Sequence, residues 1–211
     1  MSRVQAILFD IGGVLLTNGW DTSDRVVVFE RFGVKAEEFE ARHSLVYEDF
    51  EDGRIPLDDY LTATLFDKPQ SFSREDFFAA MKSGSSLLDG TALPILLQLV
   101  AEGRYRMGFL NNESRELNDY RLQHFGLQSL GSVFICSGYV GLHKPQPEIF
   151  RLAIDLLQLP ASEIIFIDDR IANVQAASAV GLNAIHYAAN PDALREELIA
   201  CGVEFRNKAS E

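Results

Sequence analysis

The sequence predicts an α/β fold: a doubly wound parallel sheet with a helical bundle inserted after its first strand. Three observations predict it. Short, wholly apolar runs alternate with amphipathic helical segments, the pattern of strands buried on both faces and crossed over by helices. The helical segments stop at a glycine or open on a proline or asparagine, as helix ends do. The interval from Leu15 to Leu88 breaks the alternation, holding helical patterns and no strand.

The first strand is expected at Val4–Asp10, an apolar run that ends in one carboxylate and is followed by Ile11, Gly12 and Gly13. A strand that delivers an aspartate to a glycine-opened turn presents that carboxylate well. Within the interval, helical spacing covers Ser23–Phe32, Ala36–Phe50, Leu57–Leu65 and Ser73–Met81, with Gly33 and Gly53 as punctuation,. Residues 15–88 are therefore expected to form a helical lid over the mouth of the sheet. Residues 1–14 and 89–211 are expected to form the α/β core.

In that core, Thr91–Glu102 reads as a helix stopped by Gly103, and Arg104–Leu110 as the second strand. Glu113–Phe125 is a helix ending at Gly126, and Val133–Cys136 is the third strand. Pro147–Leu157 opens on a proline, which suits a first helical turn,. Ile164–Asp168 is the fourth strand, Ala172–Val180 a helix stopped by Gly181, and Ala184–Tyr187 the fifth strand. Asn190-Pro191 opens the last helix, with the asparagine as cap,. The polar tail Arg206–Glu211 reads as a frayed end,.

Composition narrows the function. With 211 residues, 47% hydrophobic and 24% charged, the chain suits one globular domain or a domain with an insertion,. No apolar run approaches the ~18–20 residues of a membrane span, and Met1–Gln5 lacks a signal-peptide pattern,. Cys136 and Cys201 lack metal-ligand spacing. They read as thiols of a reducing, cytoplasmic setting. A net charge of −12 argues against a nucleic-acid partner, which demands basic patches,. A small anionic substrate remains open where a metal, a lysine or a helix N-terminus supplies local positive charge. Oligomeric state is not legible.

Polar groups gather where the strands end. Asp10 ends the first, Asn111 and Asn112 the second, Asp168 and Asp169 the fourth, and Lys144 follows the third in Gly141-Leu142-His143-Lys144-Pro145. Ligands of doubly wound sheets bind outside the carboxyl ends of the strands, so these residues are expected to converge.

In this order they resemble the motifs of the haloacid dehalogenase-like (HAD) hydrolase superfamily over nearly the whole chain. Phe9-Asp10-Ile11-Gly12-Gly13-Val14 is similar to the first motif and Leu110-Asn111-Asn112 to the second. Lys144-Pro145 is similar to the third and Phe166-Ile167-Asp168-Asp169 to the fourth. The helical interval resembles the alpha-helical cap of that family, and Phe50–Tyr60 a stretch common in its capped members. The resemblance implies a Rossmann-like core and a Mg²⁺-dependent phosphatase acting on a small phosphorylated metabolite such as a sugar phosphate.

The resemblance also implies roles. Asp10 attacks phosphorus and forms an aspartyl-phosphate. Mg²⁺ is held by Asp10, the Gly12 carbonyl and Asp169, with Asp168 beside them; hard oxygen ligands suit that ion. Lys144 holds phosphate oxygens. Asn111 stands where a hydroxyl residue is usual and donates its amide instead. Asn112 contributes its backbone N–H or merely forms a turn, and Asn173 either steadies a metal ligand or caps its helix.

Gly12 departs from the pattern, because that position usually holds an aspartate that moves protons. A good leaving group, a substitute acid (Glu113, His143, Glu48 or Asp49) or a weakened, phosphoester-binding site would each answer the loss. A haloacid dehalogenase is the rival enzyme, but it has no need of paired metal-binding acids. A receiver-type signalling domain lacks the helical insertion. Phe29, Phe32, Phe39 and Phe50 read as bundle core, whereas Trp20, Tyr47 and Arg54 are candidates to face the cleft. His43, His124 and His186 show no ligand pattern.

Overall fold

The computed structural model describes residues 3–206; residues 207–211, all of the expected frayed end except Arg206, lie outside the described residues. From β1 (Ala6–Phe9) the chain enters four helices, α1 (Thr22–Phe32), α2 (Ala36–Glu51), α3 (Leu57–Thr64) and α4 (Arg74–Ser83). It continues through α5 (Leu93–Glu102), β2 (Arg106–Asn111), α6 (Arg115–His124), β3 (Val133–Cys136), α7 (Ser137–Val140) and α8 (Pro147–Leu157). It closes with β4 (Ile164–Asp168), α9 (Ile171–Ala179), β5 (Asn183–His186) and α10 (Pro191–Ala200).

The five strands form one parallel sheet in the order β3-β2-β1-β4-β5. The α/β, doubly wound expectation therefore holds. The chain starts at the centre of the sheet, winds out through β2 and β3, then crosses back to β4. The order reverses between β1 and β4, and such a switch point opens a crevice at the strand ends.

Side-chain alternation explains why the strands read as continuous apolar runs. Ile7 and Phe9 point to one face, into a cluster with Leu96 and Leu99 of α5 and Leu194 and Leu198 of α10. Ala6 and Leu8 point to the other, toward Ile149, Phe150 and Ala153 of α8 and Ala177 of α9. All four strand residues are wholly buried, so neither face tolerates a polar residue until the strand ends.

Several boundaries move for local reasons. β2 runs on to Asn111, whose backbone pairs with Cys136; an apolar criterion stops one residue early. α6 starts at Arg115 because the Ser114 hydroxyl caps it, accepting from the Leu117 amide,. The four-residue α7 is too short to show a period and had no signal in the sequence. Cys136 and Cys201 are both free, the first buried and the second half-buried. Among the described residues no helix is long and apolar enough to cross a membrane.

The four helices between β1 and α5 have their own apolar cluster, with Val28, Phe29, Phe39, Phe50, Tyr60, Leu61, Phe77 and Met81. Phe32 packs against it, and Leu117 of α6 joins it from below. The bundle reading of the four phenylalanines holds. The chain enters and leaves this insertion side by side, through an antiparallel bridge between Leu16 and Leu87 and a Thr17 N to Ser86 O hydrogen bond of 2.9 Å.

Phe77 is fully buried and meets the rings of Trp20, Phe32, Phe39, Phe66 and Phe72. Phe77→Ala is expected to cost about 3–5 kcal/mol by urea unfolding. A loss below about 1 kcal/mol would mean that the cluster collapses around the gap.

Candidate active site

The β1–β4 register sets the site. Phe9 pairs with Ile167, so Asp10 and Asp168 emerge side by side, and the Asp10 amide donates to the Ile167 carbonyl at 2.9 Å. Asp10 Oδ1 accepts from the Ile11 amide at 2.7 Å. Its Oδ2 lies 2.9 Å from Lys144 Nζ. The same ammonium donates to Asp168 Oδ2 at 2.6 Å. All three residues are buried.

Two asparagines fix this chain of charges. Asn112 clasps the lysine backbone, donating from Nδ2 to the Lys144 carbonyl and accepting at Oδ1 from the Lys144 amide, both at 2.8 Å. Asn173 Nδ2 donates to both Asp168 oxygens, at 3.0 and 3.1 Å, and the Arg170 amide donates to Asp168 Oδ1 at 2.8 Å. Both oxygens of Asp168 are thus engaged, Oδ2 by the lysine and Asn173 and Oδ1 by Asn173 and the Arg170 amide.

Asp169 differs. Its Oδ1 is buried and finds no hydrogen-bond partner among the described residues. One carboxylate oxygen from each of Asp10, Asp168 and Asp169 lies within 4.8 Å of the others. Three carboxylates face one ammonium, so the group is short of positive charge. Burial pushes the Asp10 carboxyl up to about 7; Lys144 opposes the shift and Asp168 adds to it. Burial also raises Asp169, with Asp168 as the next cause. For Lys144 burial acts downward, but Asp10 and Asp168 outweigh it and leave the ammonium raised. An orphaned buried oxygen within a set of hard donors is what a divalent cation such as Mg²⁺ relieves.

The glycine turn has two distinct reasons. Gly13 has φ 70°, and a Cβ there would lie 2.2 Å from Asp169 Oδ2, so only glycine fits,. At Gly12 a Cβ would meet Asn18 Oδ1 at 2.9 Å and Arg121 Nη2 at 3.7 Å. An amide and a guanidinium therefore flank the place where a side chain is missing. Arg121 is buried, its Nη1 lies 3.1 Å from Glu113 Oε2, and its Nη2 donates to the Thr17 carbonyl. Burial raises the Glu113 carboxyl although Arg121 opposes it.

Above these groups a cleft of about 680 Å³ is walled by α1, α2 and their connections, including Trp20, Arg25, His43, Tyr47 and Glu51. Trp20 Nε1 donates to the Tyr60 hydroxyl at 2.9 Å, which in turn reaches His43 Nδ1 at 2.8 Å. Burial, then Arg25, pushes the His43 imidazole down to about 4, so its ring is neutral. Arg25 is held by Glu40 at 2.7 and 2.9 Å.

Of the residues singled out in the sequence, Asp10, Gly12, Asn112, Lys144 and Asn173 line the cleft, with Asp168 and Asp169 joining Asp10 at its floor. Asn111 does not line it: its amide points to Asn118 Oδ1 at 3.3 Å beneath α6. Glu113, His143, Glu48, Trp20 and Tyr47 are cleft residues. Arg54 is not, being paired outside with Asp49 and Asp52. His124 stacks on Tyr120, and the exposed His186 reaches the Asp169 carbonyl at 2.9 Å. Sequence reasoning missed Asn18, Arg25, His43, Glu51 and Arg121. The first had no signal. His43, Tyr47 and Glu51 did carry one, because their spacing of four puts them on a single face of α2.

A model of the haloacid dehalogenase-like hydrolases matches residues 4–181. Flavin mononucleotide hydrolase 1 of Arabidopsis thaliana is 30% identical over 164 residues, 78% of this chain and 65% of that protein's length. A sesquiterpene phosphatase of Aspergillus oryzae is 28% identical over 185 residues, 86% of this chain and 89% of that protein. A HAD family enzyme of Bacteroides thetaiotaomicron, solved with magnesium and inorganic phosphate, has a TM-score of 0.74 at 22% identity, covering 88% of this chain and 95% of that one.

Arg121→Met leaves the Glu113 carboxylate buried without its partner. A stability loss of about 3–5 kcal/mol is expected in urea melts, and a smaller one when Glu113→Leu is added. Equal losses in the single and double variants would show that the ion pair is not what the site loses.

Proposed function

The chain belongs to the haloacid dehalogenase-like hydrolases, and on that premise we propose that it is a magnesium-dependent phosphatase of a small phosphorylated metabolite. The observation that carries this reading is Lys144 locked between Asp10 and Asp168, at 2.9 and 2.6 Å, beside the orphaned Asp169 oxygen. A buried ammonium attracts a phosphoryl group, and a buried carboxylate beside it is placed to attack phosphorus.

In this reading Asp10 is the nucleophile. Its carboxylate adds to phosphorus, the ester oxygen leaves, and the resulting aspartyl-phosphate is split by water. Lys144 holds phosphate oxygens and keeps Asp10 charged. Asn112 positions that lysine through its backbone clasp. Asn111, tied to Asn118, supports the floor and is not a donor in the cleft. Asp10, Asp169 and the Gly12 carbonyl would hold magnesium, with Asp168 orienting the lysine beside them. Bound there, the ion offsets the repulsion between an anionic nucleophile and the phosphoryl group.

The four helices after β1 act as the cap, and their wall of Trp20, Arg25, His43 and Tyr47 selects the substrate. Relatives named for a flavin mononucleotide and for sesquiterpenes favour a phosphomonoester with an organic body that lies against that aromatic wall. Free thiols at Cys136 and Cys201 support a reducing compartment such as the cytoplasm.

A panel of sugar phosphates, flavin mononucleotide and an aryl phosphate, assayed with Mg²⁺ and with chelator, tests the reading. Phosphate release only with Mg²⁺ is expected, falling to background in Asp10→Asn. No metal-dependent release from any of them would overturn the proposal.

Thermal melts give a second check that needs no activity. At Mg²⁺ about 100-fold above its Kd, binding adds about 2.7 kcal/mol of stability. The matching rise in Tm is expected for the wild type and absent in Asp169→Asn. An equal rise in both would move the metal elsewhere.

A further inference from the structure

The proton that a side chain at position 12 would move needs another carrier; with Asp21 capping α1 and His43 bonded to Tyr60, the cleft leaves Glu113, His143, Glu48 and Glu51. Glu113 is committed, with Oε2 on Arg121 at 3.1 Å and Oε1 on the Ser114 amide at 2.9 Å. His143 is committed at both ring nitrogens: Nδ1 faces Asp52 at 3.0 Å and Nε2 faces Gln146 at 3.1 Å. Glu48 lines the cleft from an exposed position. Glu51 alone is half-buried, lines the cleft, and has a carboxylate with no hydrogen bond or ion pair among the described residues.

Its backbone is held more firmly than its side chain. The Glu51 carbonyl accepts from Ser137 Oγ at 2.8 Å. The next residue, Asp52, is buried and faces His143 Nδ1 at 3.0 Å. Gly53 follows at φ 66°, where a Cβ would lie 1.9 Å from the Gly138 carbonyl. Three successive residues thus press the end of α2 onto the turn after β3. Glu51 belongs to the insertion in sequence and to the core in position.

We propose that Glu51 is the acid–base residue of this site, supplying from α2 the proton traffic that Gly12 cannot. The proposal rests on the phosphatase reading. In the first half, Asp10 bonds to phosphorus, the bond from phosphorus to the ester oxygen breaks, and protonated Glu51 gives its proton to that oxygen. In the second half, Glu51 carboxylate takes a proton from water as the water oxygen bonds to phosphorus. The bond from phosphorus to Asp10 breaks, releasing inorganic phosphate and restoring both carboxyl groups.

The electrostatics fit both halves. Burial pushes the Glu51 carboxyl up to about 7, with Glu113 and Asp52 adding to the shift and Arg170 and Lys144 opposing it. Tyr47 on the same helix feels its charge, and His143 and Arg121 complete the ionisable groups around that part of the cleft. A group that titrates near neutrality serves as donor and acceptor in one cycle.

Acid-quench and steady-state kinetics with an alkyl phosphate and 4-nitrophenyl phosphate test this on wild type, Glu51→Gln and Glu113→Gln. Glu51→Gln is expected to lose about 10²–10⁴ in alkyl-phosphate turnover and the wild type's decline in rate as pH rises through neutrality. With 4-nitrophenyl phosphate, whose leaving group needs no proton, it keeps a burst of nitrophenolate and accumulates phosphoenzyme. Unchanged melting and an unchanged Mg²⁺-induced Tm shift separate this loss from misfolding. Alkyl-phosphate turnover within about threefold of wild type, with the same pH profile, overturns the proposal. So does the same pattern in Glu113→Gln with none in Glu51→Gln. Failure of the phosphatase reading looks different: the wild type itself gives neither burst nor turnover.

Discussion

The structure depends on one buried ammonium. Lys144 Nζ sits between Asp10 and Asp168 at 2.9 and 2.6 Å with almost no exposure. Removing three charges from water costs far more than a single ion pair returns, so the surroundings must satisfy every remaining valence. They do so through the Ile11 and Arg170 amides, the Asn112 clasp and the two bonds from Asn173. These partners come from the turns after β1, β2 and β4 and from the start of α9, and the lysine itself from the β3–α8 loop. The lysine therefore fixes the relative placement of four strand ends, and the parallel register of β1 with β4 is a precondition for it. The one oxygen left over belongs to Asp169, and the negative excess of the cluster concentrates there.

That arrangement explains what was legible in the sequence. A parallel sheet converts position along the chain into position in space: whatever follows the last apolar residue of a strand arrives at the same edge. Asp10, Asn112, Lys144, Asp168 and Asp169 could be grouped because each follows such a run. Asn111 shows the limit of the rule. It closes β2 as Asp168 closes β4, yet its side chain turns to Asn118 of α6 and away from the site. Arg121 shows a second limit. It sits on a largely polar helix and is buried because α6 lies beneath the insertion and beside the Thr17–Gly19 segment. No local pattern encodes that neighbour.

Arg121 also changes the meaning of Gly12. A carboxylate there would start from a Cβ 3.7 Å from the guanidinium. A cation at that distance favours the charged form of an acid and makes it a poor proton donor. Glycine, Asn18 and Arg121 therefore form one consistent set, in which neighbouring side chains crowd position 12 and, in the proposed mechanism, the proton comes from elsewhere. Gly12 is not merely a deletion from a familiar motif.

The same logic assigns α2 two tasks. His43, Tyr47 and Glu51 share a face that looks into the cleft, so in the proposed mechanism the residues that meet the organic body of a substrate and the carboxyl group that meets its leaving oxygen are carried on one helix. The aromatic cluster fixes that helix within the insertion through Phe39 and Phe50, and the Glu51–Gly53 contacts fix its end to the core. On the proposed reading, a substrate that packs against Tyr47 and His43 is thereby brought to Glu51 and Asp10 in a single docking step. Positioning of this kind lowers a barrier without new chemistry, since the entropy of bringing the groups together is already lost in folding. An insertion that only covered the site would not need its catalytic end anchored at three successive residues. In the proposed mechanism, that anchoring is what lets a helix outside the sheet do work usually done from the turn after β1.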